Sequence, residues 1–256
     1  MKISLSIPFY NFNSTTSTRY ELTKKNFSHY ANIQKKLKQK GIELYINLVG
    51  SENNLSFGLA SEFINKYTDY SEFYQPEKIE PHQLRDKYNF CFQTAKQLHN
   101  DCFFYCISGS NDFVSESFFY ELVKATNFDI IGVSANETLN NLVMLDYSNK
   151  IGFKGTGLYE NGVINFKNNF IGGFYAMGLR LLTQLNYCPF QWHNDEVGLE
   201  KFCLDNNYLL HMIDCEIWNV KSNIDLNSYN DCLVFRKFDI PQNELNTYFE
   251  YLKELK

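Results

Sequence analysis

Apolar and polar residues alternate at the start of the chain. Every second residue of KISLSIP (residues 2–8) is apolar, which is the period of a β-strand, and Pro8 ends the run because proline cannot donate to a strand ladder. Residues 19–40 carry apolar side chains at helical spacing and stop at Gly41, after which residues 42–51, IELYINLVGS, are apolar again. A strand, a helix and a strand in this order predict a parallel strand pair joined by a crossover helix.

The same alternation of helical and apolar segments continues to residue 134. The run DCFFYCIS, residues 101–108, is apolar between Asp101 and Ser108, which is typical of a strand buried on both faces. The remaining predictions are helices over 56–67, 82–99 and 115–126, and strands over 70–75 and 128–134. Alternating strands and helices indicate an α/β fold with a doubly wound, mostly parallel sheet.

Beyond residue 135 the segments become shorter and turn signals more frequent. Residues 142–166 predict short strands and turns. The other predictions are a segment over 170–185 that begins with Gly172-Gly173 and becomes helical, a helix over 192–206, a strand over 209–220, and an amphipathic helix over 241–256. No stretch has the composition of a linker, so we expect one domain over residues 1–256, with two halves that meet near residue 135.

Composition and charge narrow the class of protein. The chain has 256 residues, of which 44% are hydrophobic and 17% aromatic, enough for a sizeable core. It shows no run of 18 apolar residues and no secretory signal, and its seven cysteines include no C-x-x-C pair, so we expect a cytoplasmic protein with reduced, buried thiols. A net charge of −5 disfavours nucleic-acid binding by the whole surface, although the lysines between residues 24 and 40 form a local basic face.

Polar residues follow three of the predicted strands. They are PFYN at 8–11, GSEN at 50–53 and SGSND at 108–112. Ligands of open α/β sheets bind outside the carboxyl ends of the strands, so these residues are candidates for a binding site. Neither the glycine-rich dinucleotide motif nor a P-loop occurs, which excludes the commonest nucleotide sites of this fold class.

These strand ends, taken with three later motifs, resemble the family 2-like glycosyltransferases of the GT-A fold. The first strand ends in P-x-Y-N at 8–11. The sequences KYN at 87–89 and GSNDF at 109–113 resemble the K-x-N … G-S-D-D-F arrangement of some viral and bacterial members. Gly-Gly at 172–173 is similar to the acceptor-side segment of the family, and HNDE at 193–196 is similar to the acidic pair that supplies its catalytic base.

The resemblance implies a GT-A-like three-layer α/β/α domain with a mostly parallel central sheet and a C-terminal acceptor lobe. Residues 1–135 would bind a nucleotide-sugar, with a UDP-sugar as the favoured donor. Residues 136–256 would bind the acceptor. A hexosyl or pentosyl group would pass to an acceptor hydroxyl, either of a glycan or of a hydroxymethylated base in phage or viral DNA. In the DNA case the base has to be flipped out of the helix, and the enzyme would work in the host cytoplasm.

The resemblance assigns donor binding to the strand ends and to the helix before the fourth strand. Phe9 or Tyr10 can stack on the nucleotide base, and Lys87 or Arg85 can balance the charge of the diphosphate. The full donor-binding set is Pro8, Phe9, Tyr10, Ser51, Glu52, Arg85, Lys87, Asn89, Gly109, Ser110, Asn111 and Asp112.

A divalent metal, Mn²⁺ or Mg²⁺, is implied by the D-x-D motif of the family, and here the sequence departs from it. The motif would fall on residues 109–111, which are Gly-Ser-Asn, and the acid that follows is Asp112. One interpretation is a metal held by Asp112 and Asn111 through hard oxygen ligands. The other is that these two residues form a turn and cap the helix over 115–126.

Asp195 and Glu196 are the candidates for the catalytic base that removes the proton of the acceptor hydroxyl. Two acids at the start of a helix are also explained by the helix dipole alone. The run WHNDE resembles the W-H-D-E segment of retaining galactosyltransferases with Asn194 inserted, so retaining and inverting transfer both stay open. The acceptor-binding set is Gly172, Gly173, Trp192, His193 and Trp218.

Two other functions remain alternatives. The missing D-x-D motif favours a catalytically degenerate protein that binds a nucleotide-sugar or a glycan. A nucleotidyltransferase would also act at a strand end, but it needs a glycine-rich, basic loop after the first strand, and residues 9–19 offer only Arg19.

Overall fold

The computed structural model describes most of the first half of the chain and parts of the second. The described residues are 1–9, 18–52, 54–66, 70–75, 84–110, 112–134, 159–160, 163–164, 174–189, 206–215, 217–221 and 233–236. None of the helices within these ranges is long and apolar enough to cross a membrane.

Strands and helices alternate up to residue 134. They are β1 (Lys2–Pro8), α1 (Thr18–Gln39), β2 (Glu43–Ser51), α2 (Asn54–Ile64), β3 (Tyr70–Gln75), α3 (Leu84–Leu98), β4 (Phe104–Ser108), β5 (Asp112–Val114), α4 (Glu116–Lys124) and β6 (Ile130–Ser134). Later elements are β7 (Tyr159–Glu160), β8 (Val163–Ile164), β9 (Phe174–Gly178), α5 (Leu179–Gln184), β10 (Leu210–Asp214), β11 (Ile217–Lys221) and β12 (Leu233–Arg236).

A seven-stranded sheet in the order β10-β6-β9-β4-β1-β2-β3 organises the described part of the chain. β1 pairs in parallel with β2 and β4, β2 with β3, and β6 with β10, whereas β9 runs antiparallel between β4 and β6. A second, antiparallel sheet joins β12, β11 and β5. The predicted α/β architecture with a mostly parallel sheet is therefore confirmed.

Alternation along the strands divides the core between the two faces of the sheet. Ile3, Leu5 and Ile7 of β1 join the cluster that contains the buried residues of α1, α2 and α4. Tyr105 and Ile107 of β4 join the opposite cluster, with buried residues of α3 and α5. Because period-2 strands send neighbouring side chains to opposite faces, one apolar sheet is covered by helices on both sides.

The end of α1 and the burial of the cysteines agree with the sequence predictions. Gly41 stands just beyond α1 with a φ of 72°, a left-handed conformation that glycine adopts without steric cost and that ends the helix as predicted. The cysteines in the described ranges form no disulfide. Cys188 is half-buried, and the others are buried, namely Cys91, Cys102, Cys106 and Cys215.

Two predictions in the second half are wrong. The segment predicted to become helical over 170–185 contains β9, whose five residues are all buried, and α5 begins only at Leu179. The run FYAMG has no polar face, which suits a central strand better than a surface helix. The strand predicted over 209–220 is two strands, β10 and β11, which belong to different sheets.

Other elements were missed or fall outside the described residues. β5 was not predicted because three residues are too few to show a period. β7 and β8, on either side of the turn predicted at 160–162, pair antiparallel, and residues 161–162 themselves lie outside the described ranges. The helix predicted over 192–206 lies outside the described ranges except for Asn206, which is in a turn, and the helix predicted over 241–256 lies wholly outside them.

Asp129 fastens three elements together where β6 begins. Its buried carboxylate accepts hydrogen bonds from Nε of Arg180 at 2.7 Å, from Nη2 of the same residue, and from the backbone N–H of Leu209 at 2.9 Å. Arg180 belongs to α5, and Leu209 immediately precedes β10. One carboxylate thus holds α5 and β10 in register with β6.

We expect Asp129→Asn to lower the melting temperature by about 5 °C, because it removes the charge from hydrogen bonds that a buried carboxylate accepts. Asp101→Asn is the matched control, since Asp101 forms an exposed ion pair with Lys2, and it should cost much less. Thermal unfolding followed by circular dichroism measures both. Equal losses in the two variants would contradict the role of Asp129.

Candidate functional site

The carboxyl ends of β1, β2 and β4 lie side by side at one edge of the central sheet. Pro8 pairs with Val49, and Ser6 pairs with Ile107, so the three strands end at nearly the same level. The described parts of the polar strand ends therefore meet at this edge. We call it the donor edge, after the role proposed below, and define it as residues 8–9, 51–52, 108–110 and 112.

Lys87 of α3 brings a positive charge to the donor edge. Its Nζ donates to the carbonyl oxygen of Phe9 at 2.6 Å and to Oγ of Ser51 at 3.3 Å, so it links the ends of β1 and β2. Lys87 is only 4% exposed and continues a buried stripe of α3 through Cys91 and Ala95 at helical spacing. An apolar residue is the rule at such a position, so a lysine there indicates a functional constraint.

Burial changes the acidity of this lysine. It lowers the pKa of Lys87 to about 8, since a low-dielectric environment disfavours the ammonium, and the nearby Cys91 acts weakly in the opposite direction. An anion bound near Nζ would favour the charged form and raise this pKa again.

Phe9 contributes its backbone rather than its ring. The ring is 0% exposed and packs edge-to-face on Phe27, with ring centroids 5.4 Å apart. The expectation that the Phe9 ring stacks on a nucleotide base is thereby corrected, because the apolar ring is enclosed between α1 and the sheet. Tyr10, the other candidate for stacking, lies outside the described residues.

The turn between β4 and β5 forms the second part of the donor edge. The N–H of Asp112 donates to the carbonyl oxygen of Gly109 at 3.0 Å, which closes the turn. Asp112 is 1% exposed and already belongs to β5, and the N-cap of α4 is Ser115. Asp112 is therefore not the N-cap residue of α4, and Asn111, the other residue of that interpretation, lies outside the described residues.

The described residues do not fit a metal site held by the protein alone. Within the described ranges, no group of three or more His, Cys, Asp or Glu residues could hold an ion. Asp112 is the one acid of the turn, and it is buried, whereas Ca²⁺ or Mg²⁺ takes about six or more oxygen ligands. Asn111, the proposed second ligand, lies outside the described residues.

The other predicted site residues divide into two groups. Pro8 is buried, Ser51 and Asn89 are half-buried, Glu52 is exposed, and Arg85 lies in the first turn of α3. The residues Tyr10, Asn111, Gly172, Gly173, Trp192, His193, Asp195 and Glu196 all lie outside the described residues.

Trp218 connects the predicted acceptor side with the turn. It belongs to β11, where its backbone pairs with Phe113, and the next residue, Asn219, pairs with Asp112. A strand of the predicted acceptor half therefore runs directly beside the end of the β4–β5 turn.

Sequence analysis missed three polar residues of α1, namely Asn26, His29 and Tyr30. All three are buried and reach main-chain groups between Gly109 and Val114. The available signal was a polar residue, Asn26, beside Phe27 on the apolar face of a helix, but single-sequence periodicity does not separate such a residue from a surface one.

The lysine-rich face of α1 is partly neutralised by acids from other helices. Lys24 pairs with Glu62 at 3.2 Å, and Lys36 pairs with Glu116 at 2.6 Å. These pairs reduce the local positive charge that favours binding to phosphate backbones.

The strand order of the central sheet and the comparison with solved structures define the class of fold, which is GT-A-like. The chain is similar to a mannosyltransferase, PcManGT from Pyrobaculum calidifontis, which was solved in complex with GDP-Man and Mn²⁺, at 12% identity and a TM-score of 0.55. The match covers 83% of this chain and 54% of the mannosyltransferase, so the chain spans about half the length of that protein.

Two further solved structures are similar at lower scores. They are mouse xyloside xylosyltransferase 1 (TM-score 0.48, 12% identity, 84% of this chain and 86% of that one) and residues 1–349 of TarS from S. aureus (TM-score 0.45, 12% identity, 84% and 58%). No protein-family model matches the sequence, and no curated protein matches it. The likeness to the mannosyltransferase, at 12% identity, establishes the fold alone, and the expected GT-A-like architecture is confirmed.

Gly50 allows Phe9 to take its position at the donor edge. A Cβ at Gly50 would lie 2.6 Å and 2.9 Å from two atoms of the Phe9 ring and 3.1 Å from the Tyr74 ring. We therefore expect Gly50→Ala to overpack this contact and to lower the free energy of unfolding by about 1–3 kcal/mol.

Gly58→Ala provides the control for this prediction. Gly58 lies in α2, and no atom comes within 4 Å of the position that an alanine methyl would take, so alanine should stabilise the helix by about 0.5–1 kcal/mol. Urea unfolding of both variants gives the two free energies. A Gly50→Ala variant as stable as the unmodified protein would refute the close contact with Phe9.

Proposed function

We propose that the protein is a glycosyltransferase that binds a nucleotide-sugar at the donor edge and transfers the sugar to an acceptor hydroxyl. The observation that carries the proposal is Lys87, a buried ammonium held at the carboxyl ends of β1 and β2 in a GT-A-like sheet. A nucleoside diphosphate sugar carries negative charge that a lysine in this position can stabilise.

The nucleotide would lie across the ends of β1 and β2, with its diphosphate toward Lys87. Ser51 and Asn89 supply neutral hydrogen-bonding groups nearby, and Tyr10 is the remaining candidate to stack on the base. In a site of low dielectric constant a fixed ammonium stabilises the charge of the departing diphosphate more strongly than it would in water. A UDP-sugar is the first donor to test.

The β4–β5 turn would lie beside the sugar and the departing diphosphate. Gly109 brings the main chain close without a side chain, and Ser110 and Asp112 supply polar groups. Since the described residues offer one buried acid at this turn, charge compensation by Lys87 is proposed as the principal electrostatic contribution. Arg85, in the same turn of α3, is a second candidate for this role.

The acceptor would approach from the side of β11, and Asp195 or Glu196 would accept its proton as the hydroxyl attacks the anomeric carbon. This assignment rests on the sequence motif at 193–196 and on the pairing of β11 with β5, which brings the acceptor half beside the turn. Trp192, His193 and Trp218, with Gly172-Gly173, are proposed to contact the acceptor.

A glycan is the proposed acceptor, and a hydroxymethylated DNA base is the less favoured one. The net charge is −5, and two lysines of the basic helix face are paired with acids. Binding to DNA draws most of its affinity from cationic contacts to phosphates, which this surface offers sparingly.

Donor affinity is expected to depend on pH through Lys87. Without a bound donor, the pKa of Lys87 is about 8. Above that pH the neutral amine must take up a proton when the anionic donor binds. The affinity for the donor therefore falls by up to about tenfold per pH unit. Calorimetric titration of UDP-, GDP-, CMP- and ADP-sugars between pH 7 and pH 9.5, with and without Mn²⁺, measures this. A Kd of the bound donor that stays constant over this range would contradict the role of Lys87.

Lys87→Met tests the same residue directly. It should weaken donor binding about ten- to hundredfold, since a charged hydrogen bond contributes about 1.5–3 kcal/mol. It should also lower the melting temperature, because the carbonyl oxygen of Phe9 loses the hydrogen bond from Lys87. Lys96→Met, on the exposed face of the same helix, is the matched control and should leave the Kd unchanged. Equal effects of the two substitutions would show that net charge alone is responsible.

Separate Asp195→Asn and Glu196→Gln variants test the base. One of them should lower turnover by about 10²- to 10⁴-fold while the donor Kd stays the same, because the base acts on the acceptor rather than on the nucleotide. Release of nucleoside diphosphate in the presence of oligosaccharide or hydroxymethylcytosine DNA measures turnover. If neither change reduces it, the base lies elsewhere.

A further inference from the structure

Two buried side chains of α1 hold both ends of the β4–β5 turn. Nδ2 of Asn26 donates to the carbonyl oxygen of Asp112 at 2.7 Å and approaches that of Gly109 at 3.5 Å. The hydroxyl of Tyr30 donates to the same Asp112 oxygen at 2.9 Å and lies 2.8 Å from Oγ of Ser108. The turn is therefore fixed from below by α1 at its first and its last residue.

The third residue, His29, extends this contact along β5. Its Nε2 lies 2.8 Å from the carbonyl oxygen of Val114. Burial lowers the pKa of His29 to about 4, against opposing effects of the Val114 hydrogen bond and of Glu116, and Lys36 acts in the same direction as burial. The imidazole is thus neutral at neutral pH, and its N–H can donate to Val114 without a charge change.

The stability of the fold does not by itself explain why these side chains of α1 are polar. The apolar residues Phe27 and Ala31 follow Asn26 and Tyr30 in sequence and are fully buried in the main core, so apolar side chains suit this part of α1. Oδ1 of Asn26 is buried without a hydrogen-bond partner among the described residues, which is a cost to folding. This polar network fixes one backbone conformation and gives up the stability that buried apolar side chains would provide. A preorganised site requires such a fixed conformation.

The same network reaches the predicted acceptor side. Asp112, whose carbonyl both side chains bind, pairs in register with Asn219 of β11, and Phe113 pairs with Trp218. A shift of the turn would therefore move the donor-binding residues and the adjoining strand of the acceptor half relative to each other.

We propose that Asn26 and Tyr30 are positioning residues that hold the β4–β5 turn in the conformation needed for sugar transfer. The proposal rests on the proposed glycosyltransferase function. Neither side chain touches the donor in this scheme. They act through the main chain of residues 109–112, so their loss should affect the transfer step more than the binding of the nucleotide, which depends on Lys87 at the ends of β1 and β2.

Tyr30→Phe and Asn26→Leu are the test variants, because each removes hydrogen bonds while keeping the side-chain size. We expect kcat to fall at least tenfold, with a donor Kd within about threefold of that of the unmodified protein. The double variant should lose little more than either single one, since both side chains hold the same Asp112 oxygen.

Tyr70→Phe is the matched control. The Tyr70 hydroxyl is also buried and also donates to a main-chain carbonyl, that of Phe27 at 2.9 Å, but Tyr70 belongs to β3, which β1 and β2 separate from β4 in the central sheet. Its loss should lower the melting temperature as much as Tyr30→Phe does and leave kcat unchanged. If both variants lose kcat in proportion to their loss of melting temperature, Tyr30 has only a structural role and the proposal is overturned.

Hydrogen–deuterium exchange separates this proposal from the proposed function. In Tyr30→Phe and Asn26→Leu, the amides between Gly109 and Val114 should exchange at least tenfold faster, and those of β1 should not change. Unchanged exchange at the turn overturns the proposal whatever the activity. If the unmodified protein binds no nucleotide-sugar and transfers none, the glycosyltransferase function fails, and the exchange data still decide whether α1 sets the turn.

Discussion

The contact between Lys87 and the carbonyl of Phe9 is the interaction on which the donor edge depends. The N–H of Phe9 donates to Val49 at 3.0 Å, and its carbonyl accepts from Lys87, so the chain leaving β1 is fixed to β2 on one side and to α3 on the other. Gly50 makes this possible, because the Phe9 ring lies where a β-carbon would be. The backbone hydrogen bonds of Phe9, the buried charge of Lys87 and the absence of a side chain at Gly50 together hold the chain in this position.

The helices on both faces of the sheet contribute buried polar side chains. Those of each face contact a different part of the donor edge. On one face α3 contributes Lys87 at the ends of β1 and β2. On the other, α1 contributes Asn26 and Tyr30 beneath the β4–β5 turn. Buried polar groups cost free energy of folding unless they are compensated, and natural proteins retain them chiefly where a site needs a defined arrangement. Lys87 on one face and Asn26 and Tyr30 on the other therefore lie against the same edge of the sheet, whereas the buried carboxylate of Asp129 lies where β6 begins.

The predictions from sequence were right where a period is long and one face is buried. β1, α1, β2 and α3 were recognised because their apolar positions repeat over several residues, and β4 because its apolar run ends in a polar turn. β9 was wrong because a strand buried on both faces has no alternation, and a run of five apolar residues after two glycines also suits the start of a helix. Lys87 was identified by its motif, whereas Tyr30 was taken as an ordinary core residue of α1 and its hydroxyl was overlooked.

The sequence by itself determined the order of strands and helices from β1 to β4, the absence of the common nucleotide motifs, and the polar character of three strand ends. Only the tertiary structure decided that these ends are neighbours, that the Phe9 ring faces the core, and that Tyr30 of α1 reaches Asp112, which lies 82 residues further along the chain. Local patterns record which face of an element is buried, because burial follows the period of that element. They do not record which groups from distant elements meet across it, since that depends on sheet order and on the packing of helices against the sheet.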